Sequence, residues 1–101
     1  MINMGQKQPF EEFYFRFWFT NVLSSGDVLS NLEETEVVNY DTGEDVSETL
    51  IDSSKTVVGA TSVDIWLKGG ETGNTYKYTL RARTANGEGI EADGVLAVFE
   101  L

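Results

Sequence analysis

The stretch from Thr75 to Thr84 reads Thr-Tyr-Lys-Tyr-Thr-Leu-Arg-Ala-Arg-Thr, and Asn86-Gly87 follows after one residue. Tyrosine, leucine and alanine alternate here with lysine, threonine and arginine. An alternation with period two predicts a β-strand with one buried and one exposed face. Because Asn-Gly is the dipeptide most typical of a tight hairpin turn, we expect a second strand to return antiparallel over roughly Gly89 to Leu101.

The segment before this strand continues the β pattern. Thr61 to Lys68 alternates in the same way, and the glycine-rich loop that follows contains Gly69, Gly70 and Gly73. These glycines resemble a phosphate-binding loop, but that loop joins a strand to the N-terminus of a helix, and here a strand follows. We interpret them as turn residues. Tyr76 is the candidate for a tyrosine corner, whose hydroxyl bonds back to the preceding loop.

A third alternation lies near the N-terminus, from Glu11 to Thr20. Four phenylalanines occupy one face and are expected in the core, while the other face carries Tyr14, Arg16 and Trp18. Residues 1–9 lack this pattern. We therefore expect a flexible N-terminal segment over residues 1–9 and a single domain over residues 10–101.

The middle of the chain is acidic and less regular. Val28 to Tyr40 is expected to be extended, although Asn31 to Glu36 also permits a helical interpretation. Asp41 to Asp45 predicts a turn, and short strands are expected at Val46 to Ile51 and at Thr56 to Val58.

About seven short strands, with turn signals roughly every 8–12 residues and no convincing helix, predict an all-β fold. The interpretation that fits best is an antiparallel immunoglobulin-like β-sandwich. A small closed barrel is the alternative.

Composition excludes several classes of function. The chain has 101 residues, with 17 acidic and 7 basic side chains and a net charge of −10, so it should repel nucleic acids and anionic membranes. It contains no cysteine and no histidine, which removes disulfides, thiolate nucleophiles and the commonest general base and metal ligands. No apolar run has the length of a signal peptide or a membrane span.

Clusters of carboxylates raise two further hypotheses, a calcium site and acid–base catalysis. Asp41 to Asp45 lacks the regular ligand spacing and closing glutamate of a dedicated calcium loop. Acidic pairs such as Glu33-Glu34 point to opposite faces of a strand, and a small sandwich has little room for a cleft that would separate their pKa values. We therefore expect no catalytic residue, metal or cofactor, and no enzymatic activity.

Two stretches of the sequence resemble one known family. The first reads Phe19-x-x-x-Leu23-x-x-Gly26-Asp27-x-Leu29-Ser30, preceded by Lys7-x-Pro9-x-Glu11. The second reads Val63-x-Ile65-x-Leu67-x-Gly69-Gly70-x-x-Gly73-x-x-Tyr76-x-Tyr78-x-Leu80-x-x-x-Thr84-x-x-Gly87 and ends in Leu96-x-Val98. Together they are similar to the small immunoglobulin-like proteins of bacteriophages and prophages that serve as tail or fibre-tail adaptors.

The chain departs from that family pattern at two places. Phe19, with Trp18 beside it, stands at the usual tryptophan position, and the acidic stretch from Leu32 to Tyr40 replaces a Trp-x-Val and a Pro-Gly turn. The resemblance implies a virion protein, made in the bacterial host cytoplasm, whose partners are other tail proteins and further copies of itself, with no nucleic acid or membrane partner.

The candidate interaction surface consists of aromatic and basic residues on exposed strand faces. Its members are Tyr14, Arg16, Trp18, Trp66, Lys77, Arg81 and Arg83. Aromatic and arginine side chains commonly anchor protein interfaces, although a loop or the second sheet covering these faces is the plainer interpretation. The basic residues of the Tyr76 strand are either a docking surface for an acidic partner or a solvated face.

Three hypotheses about function follow. The first is a non-enzymatic structural adaptor of a phage virion that acts by protein–protein docking. The second is a carbohydrate-binding or adhesion module that uses exposed Trp18 or Trp66. The third, a domain of a bacterial envelope protein, is disfavoured because we find no signal peptide.

Overall fold

The computed structural model describes residues 1–101 as two β-sheets packed face to face. The seven strands are β1 Ile2–Lys7, β2 Phe13–Trp18, β3 Leu29–Asn39, β4 Ile51–Val58, β5 Ser62–Leu67, β6 Asn74–Thr84 and β7 Gly89–Val98, and a one-turn helix, α1 Ser47–Leu50, precedes β4. One sheet has the order β1-β7-β6-β3 and the other β2-β5-β4. The predicted all-β sandwich is confirmed.

The β6–β7 hairpin is the longest uninterrupted pairing. It runs from Asn74 opposite Val98 to Arg83 opposite Gly89 without a register shift. The turn contains Asn86 and Gly87, and Gly87 adopts a φ of +88°, a conformation that glycine accepts without strain. This hairpin forms the centre of the four-stranded sheet, with β3 antiparallel on its other side.

Apart from β1, the strand order corresponds to that of an immunoglobulin sandwich. Strands β2, β5 and β4 follow the order B-E-D, and β3, β6 and β7 follow the order C-F-G. β1 pairs with β7, and this pairing is parallel, whereas every other strand pair is antiparallel. One edge of β2 therefore has no neighbouring strand.

The N-terminal segment differs from our expectation. Ile2–Lys7 forms β1, although the sequence predicted a flexible segment over residues 1–9. Met4 and Lys7 are buried, and the strand pairs with β7 through residues such as Ile2, opposite Gly94. A register shift between Asn3 and Gln6 interrupts the alternation. The segment is extended because β7 supplies hydrogen-bond partners for its backbone, and this tertiary contact leaves no local pattern in the sequence.

The middle of the chain also contains corrections. Residues 31–36 are part of β3, so the helical interpretation is wrong there; pairing with β6 overrides the weak local preference. Conversely, Ser47–Leu50 is helical where a strand was expected from Val46 to Ile51. Residues 52–55, which separate the two short strands expected at Val46 to Ile51 and at Thr56 to Val58, belong to β4, which shifts register against β5 between Asp52 and Val57.

The core lies between the two sheets and contains 16 buried apolar residues. Phe17, Ile65 and Leu67 come from the three-stranded sheet, and Tyr78 and Leu80 from the four-stranded sheet. The Tyr78 hydroxyl donates to the Leu50 carbonyl at 3.4 Å, and burial raises the pKa of Tyr78. The four-residue α1 is the one helix, and it is too short to cross a membrane.

Candidate functional site

The even-numbered residues of β2 lie on the outer face of the three-stranded sheet, because the phenylalanines between them point towards the core. In the antiparallel register with β5, Tyr14 lies opposite Trp66, and Arg16 lies opposite Asp64. We call Tyr14, Arg16, Trp18, Asp64 and Trp66 the outer aromatic face. Four of these residues belong to the predicted interaction surface, and the structure brings them together.

Trp66 is held in place from several sides. The rings of Tyr14 and Trp66 meet edge to face at 4.9 Å, and the Lys55 ammonium lies 4.1 Å from the Trp66 ring centroid. The Trp66 indole Nε1 donates to Glu12 Oε1 at 3.0 Å, and the Tyr14 hydroxyl donates to the Lys55 carbonyl at 2.8 Å. Trp66 is therefore an ordered, half-buried support with one ring face covered, rather than an open platform.

Arg16 and Asp64 form a bidentate ion pair across the two strands. Arg16 Nε lies 2.7 Å from Asp64 Oδ1, and Nη2 lies 3.0 Å from Oδ2. This hydrogen bond and the charge of Arg16 lower the pKa of Asp64. The Arg16 guanidinium also lies 5.3 Å from the centroid of the Trp18 ring. The pair thus fixes an arginine beside an aromatic ring.

Trp18 and Tyr14 remain substantially exposed, at 56% and 47% of their accessible surface. Phe10, in the turn before β2, is 95% exposed. Large aromatic side chains in water lose the favourable free energy of burial, so a group of them next to one edge strand is an unusual surface feature. Chemically, this face can bury apolar area and offer a guanidinium to a partner.

The other predicted surface residues lie on the opposite side of the molecule. Lys77, Arg81 and Arg83 are on β6, on the outer face of the four-stranded sheet, and they do not join the outer aromatic face. Each contacts carboxylates of neighbouring strands. The pairs are Arg81 with Glu34, Glu36 and Glu91, Arg83 with Glu33, and Lys77 with Asp93.

Sequence reasoning missed these cross-strand ion pairs. The sequence feature that could have predicted them is the acidic stretch from Leu32 to Tyr40. Its glutamates predict ion pairs with the basic residues of β6 only when this stretch is known to pair with β6 as a strand. Arg81 donates to Glu34 from β3 and to Glu91 from β7, so carboxylates flank it on both sides. These basic side chains are thus already engaged within the fold.

The glycine-rich loop packs against α1 and shapes the β5–β6 connection. Gly69, Gly70 and Gly73 all have positive φ, and a Cβ on Gly69 would lie 2.7 Å from the Thr49 carbonyl oxygen. The Tyr76 hydroxyl accepts hydrogen bonds from the Glu71 N–H at 3.0 Å and from the Asn74 amide at 3.3 Å. The loop is therefore fixed by local polar contacts and close backbone packing.

Lys7 belongs to the family motif quoted above, but the sequence did not indicate it as a candidate site residue. Its side chain is 1% exposed, and its ammonium donates to the carbonyls of Gln8, Pro9 and Gly69. Burial lowers the pKa of Lys7. The three bonds tie the β1–β2 connection to the glycine-rich loop, which fixes the direction in which the chain enters β2.

Comparison with known proteins gives one family. The model described as "Podophage GP4 fiber-tail adaptor protein gp77" matches residues 7–97, from the end of β1 to the end of β7. The comparison with curated proteins gives no match.

Proposed function

The chain belongs to the podophage GP4 fiber-tail adaptor protein gp77 family, and on this premise we propose that it acts by non-covalent docking, without catalysis. It is a phage fibre-tail adaptor, a structural component of the virion that binds other phage tail or fibre proteins. We also propose that it is made in the host cytoplasm and self-associates in the assembled particle.

The observation that carries the docking mechanism is the outer aromatic face. Trp18 and Tyr14 are exposed, whereas Arg16 and Trp66 are held in defined positions by Asp64 and Glu12. Binding to such a surface costs little side-chain entropy, because the anchors are already ordered. Tryptophan, tyrosine and arginine are also the residues that most often dominate interface energies. We infer that a tail or fibre protein covers this face.

The charges of the chain support a protein partner and a role without catalysis. The net charge of −10 disfavours binding to phosphate backbones or anionic lipid. Hydrogen bonds from Ser47, Ser54 and Arg16 lower the pKa values of Asp45, Asp52 and Asp64, respectively. Groups of this kind stay ionised at neutral pH, which favours a structural role over general acid catalysis.

The carbohydrate-binding hypothesis has weaker support. A sugar ring stacks on a free aromatic face, but Lys55 lies over Trp66. Trp18 is the one tryptophan with a largely exposed ring, and Arg16 lies close to it. These contacts favour a protein partner.

The experiment is complementation of a phage that lacks this gene. Particles assembled with Trp18→Ala should contain less adaptor and less fibre protein by quantitative mass spectrometry, because loss of a central aromatic anchor weakens binding by roughly thirtyfold. Tyr40→Ala is the matched control, since Tyr40 is similarly exposed but lies in the turn directly after β3. Normal particles from the double variant Tyr14→Ala/Trp18→Ala would contradict the proposed docking face.

A further inference from the structure

The two sheets have four edge strands, and three of them are irregular. β1, β3 and β4 each contain a register shift in their pairing, and β3 also carries several glutamates. Bulges and charges are the usual means by which edge strands avoid pairing with other chains. β2 has no register shift and pairs with β5 over six consecutive residues, Phe13 to Trp18. Its free edge is regular and rich in aromatic residues.

The direction of the backbone groups on β2 follows from its ladder with β5. The Phe19 N–H donates to the Thr61 carbonyl, so odd-numbered residues of β2 face β5. The Lys68 N–H donates to the Leu50 carbonyl on the β4 side. Even-numbered residues of β5 therefore face β4, and odd-numbered residues of β5 face β2. The N–H and C=O groups of Tyr14, Arg16 and Trp18 consequently point away from β5, towards the free edge.

Arg16 is bound on one side only. In the other sheet, Arg81 has a carboxylate neighbour from each flanking strand, Glu34 from β3 and Glu91 from β7. Arg16 has Asp64 from β5, and the opposite side belongs to the free edge. A strand added at this edge would complete the same arrangement if it placed a carboxylate opposite Arg16.

We propose that the free edge of β2 pairs antiparallel with β2 of a second copy of this chain, around a two-fold axis at Tyr14. This inference rests on the self-association proposed above and assigns it to one surface. In this register, Glu12 of each copy lies opposite Arg16 of the other. Glu12 is already on the correct face, because its carboxylate accepts the hydrogen bond from Trp66. The two copies then form one continuous six-stranded sheet.

Charge complementarity selects this register. The bonding residues at the free edge are even-numbered, and one alternative symmetric register centres on Arg16. That register places Arg16 of one copy opposite Arg16 of the other copy, and like charges directly opposite each other are destabilising. An intermediate register pairs Arg16 with Tyr14 and forms no ion pair. The register centred on Tyr14 forms two ion pairs, each between Glu12 of one copy and Arg16 of the other.

The high net charge does not concentrate at this edge. Seven of the 17 acidic residues lie between Glu33 and Glu48, on β3 and the segment that follows. β3 approaches β4, and β4 is the edge of the three-stranded sheet opposite β2. The long-range repulsion between two copies is further reduced by screening at physiological ionic strength.

Sedimentation equilibrium of the purified chain at physiological ionic strength tests this proposal. We expect a monomer–dimer equilibrium, with dimerisation at least about tenfold weaker for Glu12→Arg and for Arg16→Glu, each of which places like charges opposite each other twice. An equimolar mixture of the two variants should recover dimerisation, because each cross-strand pair of the mixed dimer then joins one basic and one acidic side chain. Asp41→Arg is the control, as it changes the charge by the same amount as Glu12→Arg at a distant exposed turn.

Tyr14→Pro tests the backbone contribution independently of charge. Proline is tolerated on an edge strand where its nitrogen faces solvent, so this variant should fold and fail to dimerise. A chain that stays monomeric at every concentration overturns the proposal, as does a dimer that neither Glu12→Arg nor Tyr14→Pro weakens. If the wild type is monomeric and Tyr14→Pro loses a particle binding that Tyr14→Ala retains, the edge takes a strand of a tail or fibre protein, which overturns our choice of occupant and leaves the adaptor function standing.

Discussion

Arg16 and Arg81 are exposed arginines on outward faces of β-strands, yet their surroundings differ. Arg81 lies in the middle of its sheet between carboxylates of β3 and β7, so its charge is balanced within the fold. Arg16 lies on an edge strand with one carboxylate and an exposed tryptophan beside it. On the outer face of the four-stranded sheet, the basic side chains are therefore paired with carboxylates of the same chain. The outer aromatic face instead exposes Tyr14 and Trp18 and borders a strand edge that has no neighbouring strand.

The largest expected effect separates the two sides of β2. Phe17→Ala removes a fully buried ring and should lower the free energy of unfolding by about 3–5 kcal/mol. Trp18→Ala, one residue further, should cost less than about 1 kcal/mol, because its ring is mostly in water. Urea denaturation of both variants measures the two losses of unfolding free energy. Comparable losses would mean that the outer aromatic face serves stability rather than docking.

A smaller effect compares the two arginines directly. Arg81→Met leaves Glu34, Glu36 and Glu91 facing one another without a cation, so we expect it to lower Tm by a few degrees. Arg16→Met leaves the single Asp64 and should lower Tm less. Thermal unfolding at low and high salt measures both, and screening should reduce the Arg81→Met effect. An equal response of the two variants would contradict the contrast drawn between these faces.

The smallest effect is the pH dependence of the Arg16–Asp64 pair. The pKa of Asp64 is lower in the folded than in the unfolded chain, so its stabilisation is fully present above the unfolded value of about 3.9. It is lost as the pH falls through the lowered folded pKa. Asp64→Asn should therefore cost less than about 1 kcal/mol at pH 7 and nothing in stronger acid. Tm measured against pH for both proteins checks this, and a difference that persists in strong acid would refute it.

Local patterns were sufficient wherever a strand has one buried and one exposed face. The alternation in β2, β5 and β6 predicts both the strands and the side of each residue, since the side-chain period of two is a property of any extended chain. The same reasoning identifies Tyr14, Arg16, Trp18 and Trp66 as outward-facing candidates. It does not show that Trp66 is covered by Lys55, because that contact joins β5 to β4.

Local patterns failed where the conformation depends on a distant strand. Gly5 and the register shift hide the strand character of β1, which forms because β7 offers it a backbone ladder. Residues 31–36 are ambiguous until β6 pairs with them. Lys7 resembles an ordinary surface lysine, and its burial follows from the carbonyls that converge on it from two loops.

The order of residues was thus enough to establish a small acidic β-sandwich without cysteine or histidine, because alternation, turn dipeptides and composition act over short distances. The tertiary structure alone decided which charges are balanced and which edge is open. Both depend on strand order, since the N-terminal strand joins β7 and leaves β2 unpaired, while β3 carries its glutamates to the arginines of β6. Contacts between residues far apart in the chain set these features, and no local pattern records them.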